Sequence, residues 1–155
     1  MKFVFDLDGT LVSTREANRL AYESIGVLPP ANFHHVPWNS WTTEEIHKAK
    51  NRALPEFIHA FAKPLPLLEC ALQLEYRNTC VLSNCSDSAL LTLRKKFPEL
   101  RELGIRNRMS GAEKAIFISA NYMFMQGVFF DDCLLTCQRV AQMTTFQTVH
   151  VQEAL

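Results

Sequence analysis

Asp6 and Asp8 stand two residues apart at the end of the apolar run KFVF (2–5), and Gly9 and Thr10 follow at once. On an extended chain that spacing points both carboxylates to the same side. Such a pair suits either divalent-metal binding or a nucleophile beside an acid/base group. Gly9 lets the chain turn sharply, and the Thr10 hydroxyl can hold the turn. A solvated turn is the bland alternative, and the preceding apolar run weighs against it because buried, unpaired charge is costly.

Three further groups end or follow apolar runs in the same manner. Ser83 and Asn84 close TCVLSN (79–84). A hydroxyl, an amide and the free N–H groups of a following turn suit phosphoryl oxygens, although Ser-Asn serves equally as a cap or turn. Asp131 and Asp132 close VFFDD (128–132). Adjacent carboxylates repel unless a cation or base lies between them; alternatively Asp132 caps the next helix and Asp131 is solvated. Lys114 falls near a helix start, where the dipole disfavours a positive charge. That local cost points to anions nearby, while the other bases between Arg94 and Arg108 read as solvated faces.

The elements that must position these groups follow from hydrophobic patterning. Strands are expected at 2–5, 79–84, 128–132 and 146–151, and helices at 15–25, 43–54, 67–76, 86–97, from about 112, and at 133–143. Ser13 or Thr14 is placed to cap the first helix, and Thr42 with Glu45 has capping-box spacing. Alternating strands and helices imply an α/β fold, a mainly parallel sheet covered on both faces. Strand C-termini then share one edge, where ligands bind, so the four polar groups converge. The stretch from Pro29 to Pro66, with both tryptophans and four of the five histidines, is too long for a simple crossover. It reads as short helices in a small insertion over the mouth of the sheet.

Composition bounds the rest. A chain of 155 residues, 48% hydrophobic and 21% charged, is one domain's worth with a real core. Sixteen basic and sixteen acidic residues cancel, so no global field draws nucleic acid or an anionic membrane. No apolar run is long enough to span a bilayer, and two acids stand where a signal peptide needs apolar residues, so the cytosol is expected. Five cysteines, an odd number, read as reduced thiols. Cys133, Cys137 and His150 lack a fourth ligand for zinc.

In combination the motifs resemble the haloacid dehalogenase-like superfamily over almost the whole chain. DLDGTLV (6–12) looks like its first motif DxDGT[LV], Ser83 in VLSN its second, Lys114 its third, and FFDD (129–132) its acidic fourth. The resemblance implies a Rossmann-like phosphatase core at 1–13 and 67–155, with a reduced helical cap at 14–66. It implies Mg2+ as cofactor, held by Asp6, the Asp8 carbonyl and Asp131. Asp6 would be the nucleophile that forms an aspartyl-phosphate, and Asp8 the acid and then the base. Ser83, Asn84 and Lys114 would hold phosphate, supported by Thr10, Asp132 and Thr136. The second aspartate argues for phosphoryl chemistry rather than dehalogenation.

Two departures stand out. Many relatives continue the fourth motif as DDSxxN, whereas DDCLLT places Thr136 where the asparagine would be. Only 76 residues separate Asp6 from Ser83 (83 − 6 − 1), which leaves room for a small cap. The expected substrate is a small phosphorylated metabolite, with a nucleoside monophosphate slightly favoured over a sugar phosphate. Phe33, Trp38, Trp41, Phe57 and Phe61 can stack on a base, with His34, His35, His47 and His59 beside them, or can form the insertion's own core. A phosphomutase, or a catalytically weak binding protein on the same fold, is the alternative. A second copy of the chain is a plausible partner through the cap.

Overall fold

A computed structural model describes residues 1–26 and 43–152. Phe33, His34, His35, Trp38, Trp41 and the capping residue Thr42 lie outside the described residues. Strict alternation along the central strands decides the layering. In β1 (Lys2–Phe5), Val4 faces one side of the sheet and Phe5 the other. In β4 (Thr79–Leu82), Cys80 and Leu82 oppose Val81 in the same way. Each face therefore carries its own apolar cluster and its own helices.

Five parallel strands form the sheet in the order β5-β4-β1-β6-β7, with β5 at Ile105–Arg106, β6 at Gly127–Asp131 and β7 at Gln147–His150. The helices α1 (Arg15–Ser24), α2 (Thr43–Phe61), α3 (Pro66–Gln73) and α4 (Asp87–Lys96) bury side chains in the cluster around Phe5 and Val81. On the other face, α5 (Gly111–Asn121) and α6 (Leu134–Met143) pack Ala115, Ile118, Cys137 and Val140 over Val4, Leu82 and Phe129. The chain moves outward from β1 through β4 to β5, then crosses back to β6 on the other side of β1. That reversal puts the crevice of an open α/β sheet at the C-terminal ends of the central strands.

Between β1 and β4 the chain leaves and returns through a two-stranded antiparallel ribbon. Its strands are β2 (Val12–Ser13) and β3 (Lys63–Pro64). These strands and β5 are only two residues long, too short to give any periodic signal in the sequence. The helices between them correct the expectation of short, interrupted pieces: α2 runs 19 residues straight through Pro55. A proline inside a helix costs about 3 kcal/mol. Leu54 and Ile58, buried on either side of it where α2 packs on α1 and α4, supply the offset.

The described part of the insertion also does not build a separate core. Leu54 and Ile58 join the main cluster, Phe57 packs against it from the side, and Phe61 is 49% exposed. The five cysteines are free thiols. No described helix is long and apolar enough to cross a membrane.

Candidate active site

The loop after β1 is wound tightly around one carbonyl. The Leu7 oxygen accepts from the N–H groups of Thr10, Leu11 and Val12 at 3.3, 2.9 and 3.1 Å. Leu7 and Leu11 are fully buried, so they anchor the loop while Asp6 and Asp8 turn toward the sheet edge. Gly9 sits at φ +81°, where a side chain is strained, and its N–H reaches the Val12 oxygen at 2.7 Å. A Cβ at Gly9 would also collide with the Asp132 carboxylate. Glycine is required there twice over, by backbone and by neighbour.

Lys114, in the first turn of α5, is almost fully buried. Ser110 caps that helix by accepting from the Glu113 N–H, which fixes the turn that carries the lysine. The Lys114 Nζ donates to Asp6 Oδ1 at 2.7 Å and to Asp131 Oδ2 at 3.0 Å. Two strand ends are thereby joined through one ammonium, which explains a cation at the wrong end of a helix dipole. Burial alone lowers a lysine's pKa, but here the attraction of Asp6 and Asp131 reverses the effect and leaves it above the usual lysine range.

Asp6 completes its contacts with the Thr10 hydroxyl, which donates to Oδ2 at 3.3 Å. Asp131 Oδ1 accepts from the Cys133 N–H at 2.8 Å. Because α6 begins at Leu134 with Cys133 before it, Asp132 does not serve as the helix cap. Its carboxylate turns toward Asp6 instead, and an oxygen from each of Asp6, Asp131 and Asp132 lies within 4.8 Å of the others. Burial raises the pKa of Asp6 and Asp131, and burial followed by the charge on Asp6 pushes Asp132 up to about 8. Asp132 as a whole is open to solvent, so water moderates that push. Converging hard oxygen donors with more negative charge than Lys114 can neutralise fit a hard divalent cation such as Mg2+.

The Asp8 side chain lies apart from this trio. Its Oδ1 accepts from Thr14 Oγ1 at 3.0 Å and its Oδ2 from Ser83 Oγ at 3.4 Å. Burial raises its pKa, and the Thr14 hydrogen bond acts against that. Of Ser13 and Thr14, the two residues placed to cap α1, Thr14 stands at the N-cap but makes no side-chain cap bond; its hydroxyl donates to Asp8 and accepts from Asn18 Nδ2. The fully buried Ser83 accepts from the Cys85 N–H at 3.1 Å, while Asn84 points out to solvent. Thr136 is buried where α6 meets the start of α5, with its hydroxyl against Gly111. The hydrogen bonds to the Asp131 carboxylate come from Lys114 and Cys133 rather than from Thr136. Cys137 Sγ lies 3.6 Å from the Asp131 carbonyl, and His150 Nε2 is 3.0 Å from the Asp132 carbonyl.

Of the residues singled out in the sequence, Asp6, Thr10, Lys114, Asp131 and Asp132 come together and Asp8 touches Ser83, whereas Asn84 and Thr136 stand outside. Thr14 as a partner of Asp8 and the Cys133 N–H as a partner of Asp131 were not foreseen. The first signal was available as a hydroxyl six residues beyond Asp8; a backbone N–H leaves none.

The sequence matches no protein-family model and no curated protein sequence. Solved structures do share its architecture. A haloacid dehalogenase-like hydrolase from Streptococcus pneumoniae superposes with a TM-score of 0.67 at 15% identity, over 95% of this chain and 82% of that one. CbbY from Rhodobacter sphaeroides, in complex with phosphate, gives 0.66 at 15% identity over 95% and 84%. A haloacid dehalogenase family hydrolase from Deinococcus radiodurans R1, with bound phosphate and sodium, gives 0.62 at 11% identity over 95% and 78%. The chain has the fold of haloacid dehalogenase-like hydrolases.

Proposed function

We propose that the protein is a divalent-metal-dependent phosphomonoester hydrolase that acts on a small phosphorylated metabolite through an aspartyl-phosphate. The observation that carries this reading is Lys114, buried and bonded to both Asp6 and Asp131 at the edge where the first and fourth acidic motifs meet. Phosphoryl transfer needs chiefly positioning and charge neutralisation, and this arrangement supplies both.

Asp6, Asp131 and Asp132 are the side chains that would hold Mg2+, with the Asp8 carbonyl as a further donor. When bound, the ion neutralises phosphoryl oxygens and relieves repulsion among the carboxylates. Lys114 and Thr10 hold the two Asp6 oxygens in fixed directions. In the first step an Asp6 oxygen bonds to phosphorus as the bond to the leaving oxygen breaks, and Asp8 gives that oxygen its proton. In the second step Asp8 takes a proton from water, whose oxygen bonds to phosphorus and releases Asp6 and inorganic phosphate. Lys114 and Ser83 would bind the phosphoryl oxygens.

The test is phosphate release from p-nitrophenyl phosphate. Activity should require Mg2+ and vanish on chelation, and Asp6→Asn should lose more than about a hundredfold, because an amide is no nucleophile. The variant should keep the parent's circular dichroism. Residual turnover within tenfold of the parent overturns the role of Asp6.

A further inference from the structure

A hydrogen-bonded chain links α2 to Asp8. Lys50 Nζ donates to Asn18 Oδ1 at 3.0 Å. The Asn18 Nδ2 donates to the Thr14 carbonyl at 3.0 Å and to Thr14 Oγ1 at 3.1 Å. Thr14 Oγ1 lies 3.0 Å from Asp8 Oδ1. Lys50 is half-buried, and its ammonium also sits over the Tyr22 ring, 5.5 Å from the centroid.

The donors in this chain fix its direction. An ammonium has hydrogens only to give, so the Asn18 atom facing it is the carbonyl oxygen. The Asn18 Nδ2 then faces Thr14 and donates to its carbonyl and its hydroxyl oxygen. With that oxygen accepting from Asn18, its single hydrogen turns to Asp8 Oδ1. Thr14 thus holds Asp8 by Oδ1 at 3.0 Å, and Oδ2 is left with the longer contact to Ser83 Oγ at 3.4 Å. Oδ2 is the oxygen on the Ser83 side, facing the sheet edge where phosphate would bind.

We propose that Lys50 is a positioning residue that acts through Asn18 and Thr14 to hold Asp8 by Oδ1 and so keep Oδ2 directed at the sheet edge. The proposal rests on the phosphatase reading for its catalytic consequence, but the hydrogen-bond direction stands without it. Lys50 reaches Asp8 from α2 only while α2 is seated against α1, so the relay couples the insertion to the acid/base group. Asp8 gives its proton only to a leaving group that needs one.

Two measurements test the relay. The first compares kcat for an alkyl phosphate with kcat for p-nitrophenyl phosphate, whose leaving group departs without a proton. A well-placed general acid is worth about 10^2- to 10^4-fold, so Lys50→Met should lower the alkyl-to-aryl ratio by at least about tenfold. Lys50→Arg, which keeps the donor, should restore most of it. Asn18→Asp is the sharper variant: its carboxylate still pairs with Lys50 but has no hydrogen for Thr14, so the ratio should fall although the charge pair is strengthened. Equal losses on both esters in these variants overturn the proposal.

The second measurement needs no turnover. In the parent the Asn18 side-chain amide protons should exchange slowly with solvent by NMR, and Lys50→Met should free the amide and speed exchange at least about tenfold, as expected when a local hydrogen-bonded unit opens. Unchanged exchange refutes the relay. A parent inactive on both esters whose Asn18 amide still depends on Lys50 refutes the phosphatase reading and leaves the relay standing.

Discussion

Asp132 shows how a residue's partners set its chemistry more than its type does. Read from the sequence, Asp132 caps the next helix and Asp131 is solvated or, by resemblance, binds the metal. The structure resolves them because α6 starts one residue late and Gly9 leaves room for the Asp132 carboxylate beside Asp6. Its pKa, near 3.8 in an unfolded chain, is pushed by burial and by Asp6 to about 8. Between those values the folded state binds more protons than the unfolded one, so stability falls as pH rises through the interval. Asp6, Asp8 and Asp131, also raised, act in the same direction. A cation that binds only the ionised, folded site restores what is lost. In chelator, the melting temperature should therefore decline from about pH 5 to about pH 8, and added Mg2+ should lift it most at the upper end. Asp132→Asn should flatten the decline, and an unaltered slope in that variant would remove Asp132 from the coupled group.

At the scale of elements, the long periodic helices and the apolar strands β1, β4 and β6 were readable because each carries a face worth burying. What escaped was short or depended on a distant partner: the β2–β3 ribbon, the edge strand β5, and the continuation of α2 past Pro55. Thr136 belongs to the second kind. The sequence places it where relatives carry asparagine, but its hydroxyl meets Gly111, so it sets how closely α6 approaches the turn that carries Lys114. Replacing a helical glycine by alanine ordinarily gains about 1 kcal/mol. In Gly111→Ala the new methyl would press on the side chain of a β-branched residue within a helix, which has little rotamer freedom to move away. Overpacking should win, costing about 1–3 kcal/mol and lowering turnover by displacing Lys114. Adding Thr136→Ala removes the obstructing hydroxyl, and the double variant should recover most of both losses in melting and phosphate-release assays. A Gly111→Ala protein as stable and active as the parent would show that the contact relaxes freely.

At the scale of the whole molecule, the described residues share more of one core than the sequence suggests. A proline-rich insertion between two strands invites a picture of a separate cap with its own aromatic core, because composition reports apolar content and not where it is buried. Phe33, Trp38 and Trp41 of that picture lie outside the described residues, and among the described ones Ala17, Ala21, Leu54 and Ile58 from α1 and α2 lie in one cluster with Phe5, Val81 and Leu93. Lys96 on α4 reaches back to the Ile58 carbonyl at 3.3 Å. Elements that share a core unfold together, since none keeps its burial once the others are gone. Ile58→Ala, at a position with no exposure, should cost about 2–5 kcal/mol and shift the unfolding of the entire chain. Hydrogen exchange along a urea series checks this at both ends of the shared cluster. Amides of α2 and of β4 should lose protection at the same urea concentration in the parent, and at a common lower one in the variant. Earlier loss of α2 alone would show that the insertion folds as its own unit and that α2 can leave α1, carrying Lys50 away from Asn18, while the catalytic edge stays intact.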